Sequence, residues 1–129
     1  MKRVIYLKKI IKVEKIRSYQ TLVYKNGNKT FTKKEYKEYQ KEIRYQLAGL
    51  PRINDSRELE VTIHFKCKNK IVGDLDNITK PILDILQLNG NIQNDKQIIK
   101  LNLSKSFNHK KNEIEIEIKE VQKCKVVEK

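Results

Sequence analysis

Three stretches of this chain alternate between apolar and polar residues, one of them broken at Lys105, and such stretches must pair into a sheet with one oily face that something else covers. In residues 58–68, Leu59, Val61, Ile63, Phe65 and Cys67 alternate with Glu60, Thr62, His64 and Lys66. Ile99, Leu101, Leu103 and Phe107 alternate with Lys100, Asn102, Ser104 and Ser106, and Ile114, Ile116 and Ile118 alternate with Glu113, Glu115 and Glu117. Successive side chains of a strand point to opposite faces, so each stretch offers one apolar face. Residues 3–13, rich in Ile, Val and Leu, predict a further strand, interrupted at Lys8-Lys9.

Two helices are expected as the cover. Thr32 and Glu35 have the spacing of a capping box, and Tyr36, Tyr39, Ile43 and Leu47 then recur every three or four residues until Gly49 and Pro51 stop the pattern. Helix signals resume near Asn77, with Ile78, Ile82, Ile85 and Leu86 on one side and Asp76, Lys80, Asp84 and Gln87 on the other. Pro81 lacks an amide hydrogen, so the first turn is expected to begin only a few residues before it, and Asn89-Gly90 ends the helix. Asn26-Gly27 predicts a tight hairpin, and residues 14–20 a basic loop. The expectation is an α+β fold: a single small domain over residues 1–120, a mostly antiparallel or mixed sheet with two main helices packed on it, and a charged tail over 121–129.

Lysine and arginine number 29 against 16 acidic residues, a formal net charge of +13. Such an excess favours a polyanionic partner, nucleic acid ahead of membrane. Cys67, Cys124, His64 and His109 have no metal-ligand spacing; Cys67 belongs to an apolar strand face, and His64 reads as a solvated residue on a polar one. A reducing, cytoplasmic setting is expected, with no signal peptide, membrane span or small-molecule substrate.

Against this cationic background stands Gly73-Asp74-Leu75-Asp76-Asn77-Ile78-Thr79-Lys80, with Asp95 downstream. Adjacent carboxylates oppose each other's ionisation unless a cation lies between them, which points to Mg²⁺. On extended backbone Asp74 and Asp76 would face the same side. Asp95 can join them only if residues 89–95 run back along the helix, with Ile92 as an anchor. If strands 59–67 and 97–105 are then neighbours, they should be antiparallel. Lys80 can set an ammonium beside a phosphate, or simply pair with Asp84 one turn on. Asp-x-Asp alone also occurs in sugar-nucleotide enzymes and in plain acidic turns.

The combination Asp74-Leu75-Asp76-Asn77, Lys80, Leu83-Asp84-Ile85-Leu86, Gly90, Ile92 and Asp95-Lys96-Gln97-Ile98 resembles the RusA-type Holliday-junction resolvases, small endonucleases common in phages and prophages. The run from Asn26 to Thr32, continuing to Tyr36 and Tyr39, resembles that family's entry into its first helix. The resemblance implies that Asp74, Asp76 and Asp95 ligate a catalytic Mg²⁺, with Mn²⁺ as its alternative, and that Lys80 is needed for activity. It further implies a homodimer cutting four-way junction DNA in recombination and repair. Lys15, Arg17, Lys66, Lys68, Lys70, Lys105, Lys110 and Lys111 are then the candidate DNA contacts. The rival expectations are a non-catalytic basic DNA-binding protein with a vestigial acidic site, and an RNA-directed or general nuclease.

Overall fold

The computed structural model describes residues 4–70 and 73–121; the tail expected over 121–129 and Cys124 lie almost wholly outside them. Four strands form the main sheet: β1 (Ile5–Val13), β4 (Leu59–Lys66), β5 (Ile98–Ser106) and β6 (Asn112–Glu120), in the order β1-β6-β4-β5. A separate hairpin pairs β2 (Val23–Asn26) with β3 (Lys29–Thr32), and the helices are α1 (Tyr19–Leu22), α2 (Lys34–Leu47) and α3 (Leu75–Leu88). The expected α+β architecture, a mixed sheet with two main helices on it, is what the chain forms.

The alternating residues pack as their period requires. Leu59, Val61, Ile63, Phe65 and Cys67 are completely buried, as are Ile114 and Ile118 on the neighbouring strand. They meet the stripe Tyr36, Tyr39, Ile43 and Leu47 of α2 and the stripe Ile78, Ile82, Ile85 and Leu86 of α3. The opposite face of the sheet is polar and laced by cross-strand charges, among them Lys66–Glu115 at 2.5 Å and Lys8–Glu117 at 4.0 Å. Glu60 is 3% exposed and accepts from Asn102 Nδ2 at 2.9 Å.

Strand direction corrects one expectation. β6 is antiparallel to both β1 and β4, but β4 and β5 are parallel, in register from Leu59↔Ile98 to Lys66↔Ser106. A parallel pair needs a crossover, and α3 is that crossover. Antiparallel pairing would have required residues 89–97 to travel the full length of the helix back to its start, and they do not. A register shift between Leu59 and Glu60 leaves Ile99 on the β5 side outside the ladder, and β5 lies at the sheet edge with Ile99 and Leu101 exposed.

Local chemistry departs from expectation in four further places. β1 runs through Lys8-Lys9 without a break, its irregularity falling between Ile5 and Leu7. Asn26 pairs with Lys29, so the hairpin turns on Gly27-Asn28 rather than Asn26-Gly27, with Gly27 alone at positive φ (+65°). No capping box forms at Thr32: Lys33 is the N-cap of α2, with no side-chain cap, and its amide donates to the Leu22 carbonyl at 2.8 Å. Finally, Pro81 sits buried in the second turn of α3, where it leaves the Asn77 carbonyl without its helical partner.

Tyr36 and Tyr39 seat α2 on the rest. The Tyr36 hydroxyl donates to Asp84 Oδ2 at 3.1 Å, and Tyr39 Oη accepts from the Arg17 amide at 3.4 Å. Burial raises both phenols well above the ordinary value of 10.0, and the Asp84 carboxylate raises Tyr36 further. The folded protein therefore keeps both protons at a pH where the unfolded chain has lost them. Stability is fully present below about pH 10 and declines above it. Urea midpoints measured across this range should be flat and then fall, and Tyr36→Phe should flatten the fall. An equal alkaline slope in wild type and variant would contradict the assignment.

Candidate active site between α3 and β5

Gly73 leads into α3 with φ at +99°, a conformation that favours glycine, and a Cβ there would stand 3.3 Å from Ser18 Cβ. Asp74 follows as N-cap, and the helix begins at Leu75, two residues before the sequence suggests. Asp76 is thus inside the first turn, and the same-side geometry of an extended pair does not hold. Both carboxylates are exposed and lie at the positive end of the helix dipole, which relieves part of their mutual repulsion. Asp74 makes no side-chain cap bond, so its oxygens are not engaged by the helix amides.

Between α3 and β5 runs a groove of about 300 Å³, lined by Asp76, Thr79, Lys80, Leu83, Asp84, Asp95, Leu101 and Leu103. Lys80 is not paired with Asp84 among the described residues. Its ammonium lies 4.2 Å from the ring centre of Tyr19, which meets Tyr36 edge-on at 6.5 Å, while Tyr36 holds Asp84. Two residues of the expected basic loop thereby belong to a helical turn, Tyr19–Leu22, that fixes Lys80 from outside the sequence motif. No periodicity signals this role for Tyr19. Thr79 is 2% exposed, and its hydroxyl is the sole buried side-chain polar atom without a hydrogen-bond partner among the described residues.

Asp95 reaches the groove from the other end. After Gly90 the chain folds back, with the Asn91 and Ile92 amides on the Leu86 carbonyl at 3.0 and 3.4 Å, and Ile92 fully buried as the anticipated anchor. The Asp95 amide then donates to Gln87 Oε1 at 3.1 Å, and a 3₁₀ turn (Asp95–Gln97) opens into β5. The backbone return stops there, while the Asp95 residue lines the same groove as Asp76. About 16 Å of helix rise separates Gln87 from Asp76, and Lys105, near the far end of β5, donates to the Gly73 carbonyl at 2.8 Å. Asp74 does not line the groove that Asp76 and Asp95 share. Among the described residues, no three acidic, histidine or cysteine side chains converge closely enough to hold a metal ion.

The donor chemistry nevertheless suits Mg²⁺. This ion prefers oxygen, keeps several waters, and is commonly held by one or two carboxylates together with substrate phosphate. Asp76 and Asp95 offer such oxygens along one groove.

The candidate DNA contacts divide by their surroundings. Lys68, Lys70, Lys110 and Lys111 are exposed, and the backbone joins their segments: the His109 amide donates to the Cys67 carbonyl at 3.1 Å and the Lys68 amide to Asn112 Oδ1 at 2.8 Å. This is the end of the sheet where Lys105 meets Gly73. Lys66 is tied to Glu115, whose carboxyl is held below its ordinary value by that partner. Lys15 and Arg17 share a hollow with Glu14, Glu35, Glu38 and Glu42. His64 is not simply solvated: its ring nitrogens meet Ser104 Oγ at 2.5 Å and Ser106 Oγ at 2.9 Å, and Ser106 also meets His109 at 2.6 Å.

Gln97, missed in the sequence, secures Asp95. Its Oε1 accepts from the Gln93 and Asn94 amides at 2.7 and 3.0 Å, and its Nε2 donates to the Asp55 and Arg57 carbonyls at 3.1 and 2.7 Å. The spacing Asn94-x-x-Gln97 is that of a capping box and was the available signal. Gln97→Leu removes four hydrogen bonds from the buried Gln97 side chain to part-buried backbone groups, at about 0.5–1 kcal/mol each, so an overall loss of about 2–4 kcal/mol is expected in chemical denaturation. A loss below the precision of the measurement would show that the clamp carries no weight.

No curated protein sequence matches the chain. The family model described as Endodeoxyribonuclease RusA matches residues 13–119, a span holding every groove residue and the whole sheet except β1 before Val13 and the final residue of β6. The chain therefore belongs to the RusA endodeoxyribonuclease family.

Proposed function

We propose that this protein is a Mg²⁺-dependent, structure-specific endonuclease that resolves four-way DNA junctions by paired symmetric nicks, working as a homodimer in recombination and repair in the cytoplasm. The carrying observation is the groove itself. It gathers Asp76, Asp95, an ammonium fixed over an aromatic ring and a buried hydroxyl with no partner, in a chain of a DNA-cleaving family. A junction has approximate two-fold symmetry, so a two-fold dimer offers one groove to each of two opposed strands.

Asp76 and Asp95, with Asp74 at the helix cap, are the residues that would hold Mg²⁺; bound there, the ion supplies Lewis-acid polarisation of the phosphate and a more acidic water. The chain's own groups do the rest. Hydrolysis joins a water oxygen to phosphorus and breaks the bond to the 3′ oxygen, leaving 5′-phosphate and 3′-hydroxyl ends. Lys80 neutralises the phosphate or the departing oxygen, and the Tyr19 ring restricts where its ammonium travels. Tyr36 orients Asp84 alongside, so the two charges are held apart instead of cancelling. Lys68, Lys70, Lys105, Lys110 and Lys111 supply cationic density where α3 begins, with Lys15, Arg17 and Lys66 more locally neutralised.

A second reading, a non-catalytic DNA-binding protein, draws on the failure of three carboxylates to converge among the described residues. Cleavage of a synthetic junction in Mg²⁺ and in EDTA separates the two. The wild type should nick only with the metal. Asp76→Asn should bind the junction with unchanged affinity but cut about 100-fold more slowly or worse; normal cutting by this variant rules out the catalytic assignment. Linear duplex and structured RNA as competitors test a general or RNA-directed nuclease. Tyr19→Leu should lower turnover by about 3- to 10-fold without changing junction affinity, while Tyr19→Phe keeps the ring and the rate. A Tyr19→Leu defect confined to affinity would remove Tyr19 from the positioning of Lys80.

A further inference from the structure

α2 is divided lengthwise into three faces. At 3.6 residues per turn, Lys34, Lys37, Lys41 and Arg44 fall within a sector of about 80°, Glu35, Glu38 and Glu42 within the next, and the buried stripe completes the wheel. The acidic flank looks toward Lys15 and Arg17, and Glu42 Oε2 accepts from the Glu14 amide at 3.0 Å. The cationic flank has no such match. Lys34 alone has a carboxylate within reach, Glu38 at 3.8 Å; Lys37, Lys41 and Arg44 have no ion-pair partner among the described residues. These four cations border one shallow hollow with Gln40, Asn89, Tyr45 (85% exposed) and a single carboxylate, Glu38.

We propose that this flank of α2 is a second DNA-binding surface, which takes the phosphate backbone of a duplex arm beside the cleavage groove. The proposal rests on the reading of branched DNA as substrate. Its geometry comes from the contacts that lock α2 to α3: Tyr36 to Asp84 at 3.1 Å and Arg44 Nε to Asn89 Oδ1 at 3.5 Å. These two bonds set the cationic flank alongside the helix that carries Asp76 and Lys80. From Lys34 to Arg44 the stripe rises about 15 Å, the axial length of about four phosphates of one strand. A membrane surface does not fit, because the apolar face of α2 is already buried in the core. An acidic protein remains the rival partner.

The test compares two triple variants that lower the net charge equally. One is Lys34→Ala/Lys37→Ala/Lys41→Ala on the stripe, which spares the Arg44–Asn89 bond; the other, Lys8→Ala/Lys12→Ala/Lys29→Ala, removes exposed lysines from β1 and the hairpin. Affinity for a labelled linear duplex and for a long-armed junction is measured against salt. The stripe variant should bind both more weakly, with the log–log salt slope shallower by up to about 2.7, or about 0.9 for each phosphate no longer neutralised. The control should keep the wild-type slope. Turnover on a short-armed junction at saturating protein should be unchanged in the stripe variant. Unaltered slopes in the stripe variant, as an acidic-protein partner would give, overturn the proposal. So do equal shifts in both triples, which would mean that only net charge matters. A wild type that binds duplex with the expected slope change yet cuts no junction upholds the stripe and sinks the resolvase reading. A wild type that binds no DNA sinks both.

Discussion

Parallel pairing of β4 with β5 decides where every candidate group stands. Two strands running the same way cannot be joined by a tight turn, so the chain must cross over, and α3 carries it from the top of β4 back toward the start of β5. The acidic opening of the helix is thereby left where β4 ends, the Asp95 backbone enters where β5 starts, and Asp76 and Asp95 both line the groove along the helix. Because the crossover buries Ile78, Ile82, Ile85 and Leu86 completely, the face bearing Asp76, Lys80 and Asp84 has no choice but to look outward.

That helix is also where the fold accepts local cost. Pro81 removes an amide from its second turn, and Thr79, two residues earlier, hides a hydroxyl that bonds to nothing among the described residues. An unpaired polar group in an apolar setting costs about 1–3 kcal/mol. Both features fall within the helix segment that carries the candidate groups. Sites that must receive a charged ligand commonly hold such unused bonding capacity. The surrounding aromatic chain, Tyr19 on Tyr36 and Tyr36 on Asp84, is what gives this otherwise exposed face its definition.

Much of this was readable from residue spacing, because alternation and helical stripes report burial, and burial decides which faces meet. Leu59 to Cys67, Ile114 to Ile118 and the Tyr36 stripe are where their periods put them. Ile92 is the buried anchor that its isolation among polar neighbours suggested. What spacing does not carry is direction and partnership. Nothing local in β4 or β5 distinguishes a parallel neighbour from an antiparallel one. The Thr32 capping box does not form because Thr32 belongs to β3, paired with Val23, and the N-cap falls to Lys33. His64 found two serines on β5 whose identity as neighbours depends on the register, and Tyr19 found Lys80 across a gap of about sixty residues. The acidic residues are legible as residue types, while which of them share a groove is decided by the crossover.

The central claim is that a divalent ion occupies the groove between α3 and β5, with Asp76 and Asp95 among its ligands. Paramagnetic Mn²⁺ titrated into ¹⁵N-labelled protein, alone and with junction DNA, locates the ion without relying on cleavage. Broadening should centre on Asp76, Thr79, Lys80 and Asp95, grow stronger with DNA and vanish with EDTA. Broadening centred on the glutamate-rich face of β6, or none at the groove with DNA bound, would contradict it.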